Sequence, residues 1–293
     1  MPMTVPLAAW TEVVPAIHVR QSRAFWMNSV VLLDRGHTVI IDPGVLPSEL
    51  DDIERVVAEA KPKALTLLFT HSHWDHALGR PWWPEAHTIA HDRFADEIRS
   101  TREEIARAAQ EIAAKHGETW TRGYEPFRPD EPVSGLRFLK LDPWRLVLRD
   151  APGHSQSQLT VHLPDRRLLI SADMLSNIEI PILDGPVAPF RETLQELQLL
   201  AENGAIITVV PGHGAIAGGR NMVLERFKRD LEYLGALDKG TRDAITRELT
   251  LEATQHQLAG LEYAGKHSAE YPTESMHRDN IRFAYEAHQA GRR

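Results

Sequence analysis

Ala64-Leu65-Thr66-Leu67-Leu68-Phe69-Thr70-His71-Ser72-His73-Trp74-Asp75-His76 is the stretch on which the reading of this chain turns. Its first seven residues form an apolar run bounded by Lys61-Pro62-Lys63, too short for a helix, and read as a buried strand. Its last six carry three imidazoles and a carboxylate. Side chains at i and i+2 of an extended chain point the same way, so His71 and His73 can grip one ion together. Asp75 and His76, past the turn, are placed to face a second. Imidazole with carboxylate suits zinc, with manganese and iron as the other borderline choices.

Three further places supply ligands. Ala151-Pro152-Gly153-His154-Ser155 puts a histidine in a tight turn between the strand-like runs 146–148 and 159–161. Leu168-Leu169-Ile170-Ser171-Ala172-Asp173 ends an apolar strand on an aspartate, and Ile206-Ile207-Thr208-Val209-Val210-Pro211-Gly212-His213-Gly214 ends another on a histidine. Each polar residue follows a buried-looking strand, where loops at a sheet edge gather into a site.

With these residues in place, the chain resembles the metallo-β-lactamase superfamily of hydrolases. The family motif His-x-His-x-Asp-His stands here as His71, His73, Asp75 and His76, followed in the family's order by His154, Asp173 and His213. Asp42-Pro43-Gly44 resembles the family's Asp-x-Gly turn beneath the metals. The likeness runs over roughly residues 15–235. It implies an α/β, four-layer αββα sandwich with two divalent metal ions, zinc first among them. His71, His73 and His154 would bind one ion, Asp75, His76 and His213 the other, and Asp173 would bridge the two. Asp75 and Asp173 are then the catalytic candidates, and Asp42 a partner for a ligand histidine. Spacing gives the ligand set; the division between two metals comes from the resemblance.

The same resemblance narrows the substrate. The last ligand turn is Pro211-Gly212-His213-Gly214-Ala215, unlike the Cys-Gly-His-Glu-Tyr turn of glutathione thioesterases. Ser176 stands where lactonases of this fold carry a tyrosine, and His73 stands where the oxygen-reducing members carry glutamate. The expectation is a dinuclear hydrolase of a small-molecule ester, lactone or thioester. The alternatives are a phosphodiesterase or other phosphoester hydrolase, a β-lactamase, and a non-hydrolytic iron-dependent oxidase or metal-binding protein.

Composition agrees with a globular enzyme. The 293 residues include 42% hydrophobic and 25% charged residues and no cysteine, which excludes disulfides and thiolate ligands. A formal charge of −8 argues against general nucleic-acid binding, which needs Lys and Arg to neutralise phosphate. The first seven residues lack a basic n-region and an apolar h-region, and no apolar run reaches the roughly 20 residues of a membrane span. The expectation is a cytoplasmic protein with a small-molecule substrate and no nucleic-acid or membrane partner.

The pattern divides the chain into a catalytic domain over 1–235 and a helical C-terminal extension over 236–293. Within the first lies a helical and aromatic insertion, 92–135. Its helical part, 92–118, carries Phe94, Ile98, Ile105 and Ile112 as an apolar stripe. That stripe reads as packing, as a lid, or as part of a homodimer contact, a role also open to the C-terminal helices. Ser48 reads as the N-cap of a helix over 47–60 with Leu50, Ile53, Val56 and Val57 on one face. Other helices are expected over 193–203, 222–237 and 279–289. Trp74, Trp82, Trp83 and the loop 120–127 are candidates for a pocket wall, and Glu179 for a substrate contact. The other histidines, among them His87, His91, His162, His256, His267, His277 and His288, read as surface or packing residues.

Overall fold

The computed structural model describes residues 10–267 and 274–291, with side chains to residue 265 and from 274. The residues 1–7 and the side chain of His267 considered above therefore lie outside the described residues. The chain divides into two compact units, 1–150 with 157–166, and 151–156 with 167–293.

The first unit opens with β1 (Trp10–Val14), β2 (Ile17–Gln21), β3 (Asn28–Leu32) and β4 (His37–Ile41), then α1 (Pro47–Ala60) and β5 (Ala64–Leu68). A short helix, α2 (Trp74–Ala77), follows, then β6 (His87–His91), α3 (Phe94–Ser100), α4 (Arg102–Lys115) and β7 (Glu131–Val133). These strands form a sheet in chain order, antiparallel from β1 to β4 and parallel from β4 to β7. A second, antiparallel array joins β8 (Leu136–Leu141), β9 (Trp144–Asp150) and β10 (Leu159–Leu163). All five residues of β3 and of β10 are buried, the polar Asn28, Ser29, Thr160 and His162 included, so both faces of these strands are covered.

Local chemistry explains the element ends. α1 begins at Pro47, with Leu46 as its cap, two residues earlier than a Ser48 cap requires, because proline's fixed φ is already helical and its missing N–H is not needed there. The Ser48 hydroxyl instead donates to Glu118 at 2.7 Å. The helix ends on Lys61 in the left-handed conformation, followed by Pro62. Leu50, Ile53, Val56 and Val57 are buried as their spacing requires. The expected helix over 92–118 is two helices, broken at Thr101, whose hydroxyl turns back onto the Glu97 carbonyl at 3.0 Å. Its stripe lies in the core: Phe94, Ile98 and Ile105 share a cluster with Phe69, Trp82 and Trp83, and Trp120 and Tyr124 join it. Trp82 meets Trp120 edge-on with ring centroids 5.2 Å apart, so the tryptophan pair after the motif and the aromatic loop serve packing.

The second unit contains β11 (Leu168–Ile170), α5 (Val187–Glu202), β12 (Thr208–Val210), β13 (Ala217–Gly218) and α6 (Arg220–Thr246). α7 (Leu251–Leu258), the hairpin of β14 (Glu262–Tyr263) and β15 (Lys266–His267), and α8 (Glu274–Ala290) complete it. β11 runs parallel to β12, and β13 returns antiparallel. The helices are longer than their sequence signals: α6 is a single helix of 27 residues, where only 222–237 has the clear pattern, and α5 begins at Val187 rather than 193. Phe190, Leu194, Leu197, Phe227, Leu234, Leu237 and Ile281 form the core of this unit. Each fully buried Leu, Ile or Phe contributes about 1.5–3 kcal/mol. Among the described residues no helix is long and apolar enough to cross a membrane.

Candidate metal centre

In the first unit the motif loop leaves the carboxyl end of β5, and Asp42 leaves the carboxyl end of its parallel neighbour β4, with Ile41 beside Leu68. Carboxyl ends of parallel strands are where open α/β sheets gather binding residues. Asp42 is buried and takes a left-handed φ of 48°. Its Oδ1 accepts the Thr70 N–H at 2.7 Å, and its Oδ2 accepts the Thr70 hydroxyl at 2.6 Å and the His76 Nδ1–H at 2.9 Å.

Because the Thr70 hydroxyl gives its proton to Asp42, its oxygen accepts from His71 Nδ1, 3.0 Å away. The neutral rings of His71 and His76 are thereby held in the Nδ1–H form, which leaves Nε2 as the ligand atom. The His71 ring lies 4.7 Å from that of His73 and 4.1 Å from that of His76, centroid to centroid. Asp75 and His76, past the turn, ride on α2, and their carboxylate and Nε2 are 3.9 Å apart. His71, His73, Asp75 and His76 are thus one cluster.

The second unit repeats the device. Asp173 follows β11 and His213 follows β12, again at the carboxyl ends of parallel neighbours, with Ile170 beside Val210. Asp173 Oδ2 lies 3.1 Å from His154 Nε2 and 3.6 Å from His213 Nε2. His154 Nδ1 donates to the Ile182 carbonyl at 3.0 Å, which fixes its tautomer as Asp42 fixes that of His76. Gly153 before it has φ +137°, and a Cβ there would stand 2.4 Å from the Phe190 Cβ, so only glycine lets the turn approach α5.

The Asp173 turn is strained, with Ala172 and Leu175 at φ 51° and 61°. It is held from outside. The Leu175 N–H donates to Asp230 at 2.9 Å and its carbonyl accepts from Arg226 at 2.8 Å, while Arg226 reaches the Ala215 carbonyl at 3.1 Å. The Ser176 hydroxyl donates to the His213 carbonyl at 3.0 Å, stitching the two ligand loops together. His154, Asp173, Ser176, Glu179 and Asp230 line one small cleft.

Three contributors carry no sequence signal. Glu97 of α3 accepts the Ser72 hydroxyl, between the first two motif histidines, at 2.5 Å, and the same oxygen accepts the Ser157 hydroxyl. Arg226 and Asp230 of α6 are the others. Several remaining histidines have structural partners: His91 lies 3.0 Å from Asp92 and His288 2.9 Å from Asp238.

Asp230 is the clearest titrating group. Complete burial raises its carboxyl from 3.8 to about 7, against the lowering effects of the Leu175 N–H, the Tyr263 hydroxyl and Arg226. Between those two values the folded chain binds a proton that the unfolded chain has released, so this group's contribution to stability falls as pH rises from about 4 to 7. Above that range both states are ionised and the slope vanishes. Denaturant titrations of the metal-free protein across this range should give a more negative slope of unfolding free energy against pH for the parent than for Asp230→Asn. Equal slopes would remove the raised carboxyl from the account.

The donor sets fit a metal centre: buried imidazoles in an orienting network, with carboxylates and no sulfur, are ligands for borderline divalent cations. Comparison with known proteins agrees. The family model of the metallo-beta-lactamase superfamily matches residues 25–215, and the chain belongs to that superfamily. A curated relative is the acyl-coenzyme A thioesterase MBLAC2 of Gallus gallus, 24% identical over 199 residues, which are 63% of this chain and 71% of the relative. Among solved structures, the sec-alkylsulfatase Pisa1 from Pseudomonas sp. aligns with a TM-score of 0.72 at 15% identity, over 95% of this chain and 50% of that one. The chain thus spans half the length of that sulfatase. A metallo-beta-lactamase family protein from Thermus thermophilus aligns with a TM-score of 0.57 at 22% identity, over 95% of this chain and 88% of that one. These likenesses show the α/β metallo-β-lactamase fold expected from the motif.

Proposed function

We propose that the chain is a dinuclear metal-dependent hydrolase of an acyl ester-type bond, with a thioester as the first candidate. The observation that carries this reading is the locked tautomer of His71, His76 and His154, each with Nδ1 committed to an acceptor and Nε2 left as ligand atom. In this reading His71, His73 and His154 would hold one ion and Asp75, His76 and His213 the other, with Asp173 shared between them, zinc being the expected metal. A bound pair of such cations supplies Lewis acidity and brings the ionisation of water toward neutral pH. The protein's part is orientation and proton movement. Asp75, 3.9 Å from His76 Nε2, would orient the attacking water and accept its proton.

Two features support an acyl substrate with an apolar group. Phe25 and Trp26 are consecutive bulky residues at φ 55° and 50°, and they are half exposed at 51% and 55%. Backbone strain of this kind clusters at active sites and ligand clamps. The Phe25 ring meets Trp74, inside the metal motif, edge-on at 5.9 Å. The likeness to a thioesterase supports the same bond class.

The test is product release by the zinc-loaded protein from acyl-coenzyme A thioesters of increasing chain length, lactones, simple esters, phosphodiesters, sulfate esters and β-lactams. Preference for a carboxylic ester-type substrate is the expected result. Preference for a phosphodiester, a sulfate ester or a β-lactam would overturn the bond class.

A further inference from the structure

The Ile182 carbonyl that holds His154 is itself held from the C-terminal helix. Asn280 of α8 donates from Nδ2 to the Pro181 carbonyl at 2.7 Å and accepts the Leu183 N–H at Oδ1 at 2.8 Å, gripping the residues on both sides of Ile182. Carbonyl and amide partners of opposite polarity fix which end of the side-chain amide is which. The second Nδ2 proton goes to the Tyr233 hydroxyl oxygen at 2.9 Å.

The direction of the rest of the network follows from its far end. His277 Nε2 lies 2.8 Å from the Leu258 carbonyl, which can only accept, so Nε2 carries the proton. Burial lowers the His277 pKa and keeps the ring neutral, so its Nδ1 accepts from the Tyr233 hydroxyl at 2.8 Å. Tyr233 is left with an oxygen that accepts only from Asn280. The chain from the Leu258 carbonyl through His277, Tyr233 and Asn280 to the 181–183 strap is satisfied at every member, and Asn280, Tyr233 and His277 are all buried.

We propose that Asn280 is a positioning residue for His154, fixing through the 181–183 strap the carbonyl that presents this ring to a metal. The inference rests on the reading of His154 as a ligand. Docking of α8 alone does not require a buried amide: Ile281 and Ala284 beside it already bury an apolar face, and what the amide partners is the backbone of the strap, whose Pro181 carbonyl and Leu183 N–H an apolar residue would leave unsatisfied. What the amide adds is a fixed geometry at the strap.

The experiment measures how fast the zinc-loaded protein loses metal to a chromophoric chelator, together with thermal stability. Asn280→Ala should release metal about 10–100-fold faster than the parent, the range for loss of an orienting partner. Tyr233→Phe keeps the ring in the core and removes only the hydroxyl, and should accelerate release by a smaller, still measurable factor. Ile281→Ala truncates the same helix without touching the strap, and should lower thermal stability with release unchanged.

Release from Asn280→Ala no faster than from Ile281→Ala would overturn the proposal, since the amide would then act only through stability. If Asn280→Ala does not fold, parent-like release from Tyr233→Phe overturns it. His154→Ala separates the two levels. Unchanged release in that variant would remove His154 from the ligand set, whereas fast release there with slow release from Asn280→Ala would reject only the role of Asn280.

Discussion

Asp173→Ala is expected to lower turnover at least about a thousandfold and to lose one or both metal ions while the fold survives. Its Oδ2 lies 3.1 Å from His154 Nε2 and 3.6 Å from His213 Nε2, so in the proposed centre this one carboxylate serves both ions. Removing it withdraws a negative charge from between two cations and loosens both. Several kcal/mol of transition-state stabilisation depend on those cations, and each 1.36 kcal/mol is about tenfold in rate. The surrounding turn has its own supports in Asp230, Arg226 and Ser176, so the unfolding midpoint should move little. Turnover and metal content measured on one preparation decide the matter. Parent-like activity in this variant would show that Asp173 does not bridge.

Asp42→Ala should be the more damaging change to stability. Three buried donors end on this carboxylate: the Thr70 N–H, the Thr70 hydroxyl and His76 Nδ1. Leaving buried donors unsatisfied costs about 1–3 kcal/mol each, so a loss of roughly 3–5 kcal/mol is expected after partial relaxation. Asp42→Asn separates the two roles of the residue. Its Oδ1 can still accept from the Thr70 N–H, but its amide nitrogen meets His76 Nδ1–H donor to donor. The ring must then change tautomer and place its proton on Nε2, the ligand atom. Asp42→Asn should therefore be milder than alanine in denaturant titration, yet still weaken metal binding about 10–100-fold. Full metal affinity in Asp42→Asn would refute tautomer control by this carboxylate.

Legibility in the sequence tracked the range over which each feature is determined. The motif at 71–76 is local, since a strand followed by four ligand residues within six positions needs no knowledge of the rest of the chain. Asp42, His154, Asp173 and His213 could be read for the same reason, each ending or following a recognisable strand, and parallel pairing places Asp42, Asp173 and His213 at carboxyl ends of strands. The supports were invisible because each is a long-range hydrogen bond by an ordinary polar residue. Asn280 reaches Pro181 across 99 residues and Asp230 reaches Leu175 across 55, and nothing in the spacing of either marks it. Helix boundaries failed for smaller reasons. Pro47 moved the cap of α1 from Ser48 to Leu46, and Thr101 broke a pattern that has neither glycine nor proline at the break. α6 continues beyond its clear apolar periodicity, its later turns contributing Thr241, Ala244 and Ile245 to the interior.

The most direct measurement is metal stoichiometry linked to turnover: metal per chain by mass spectrometry, beside hydrolysis of the best acyl substrate, in protein that has been stripped and then titrated with zinc. The account predicts that activity appears only with added metal and saturates at two ions per chain, and that Asp173→Ala does not reach this endpoint. Full activity in fully stripped protein, or saturation without any dependence on the ligand residues of either unit, would contradict it.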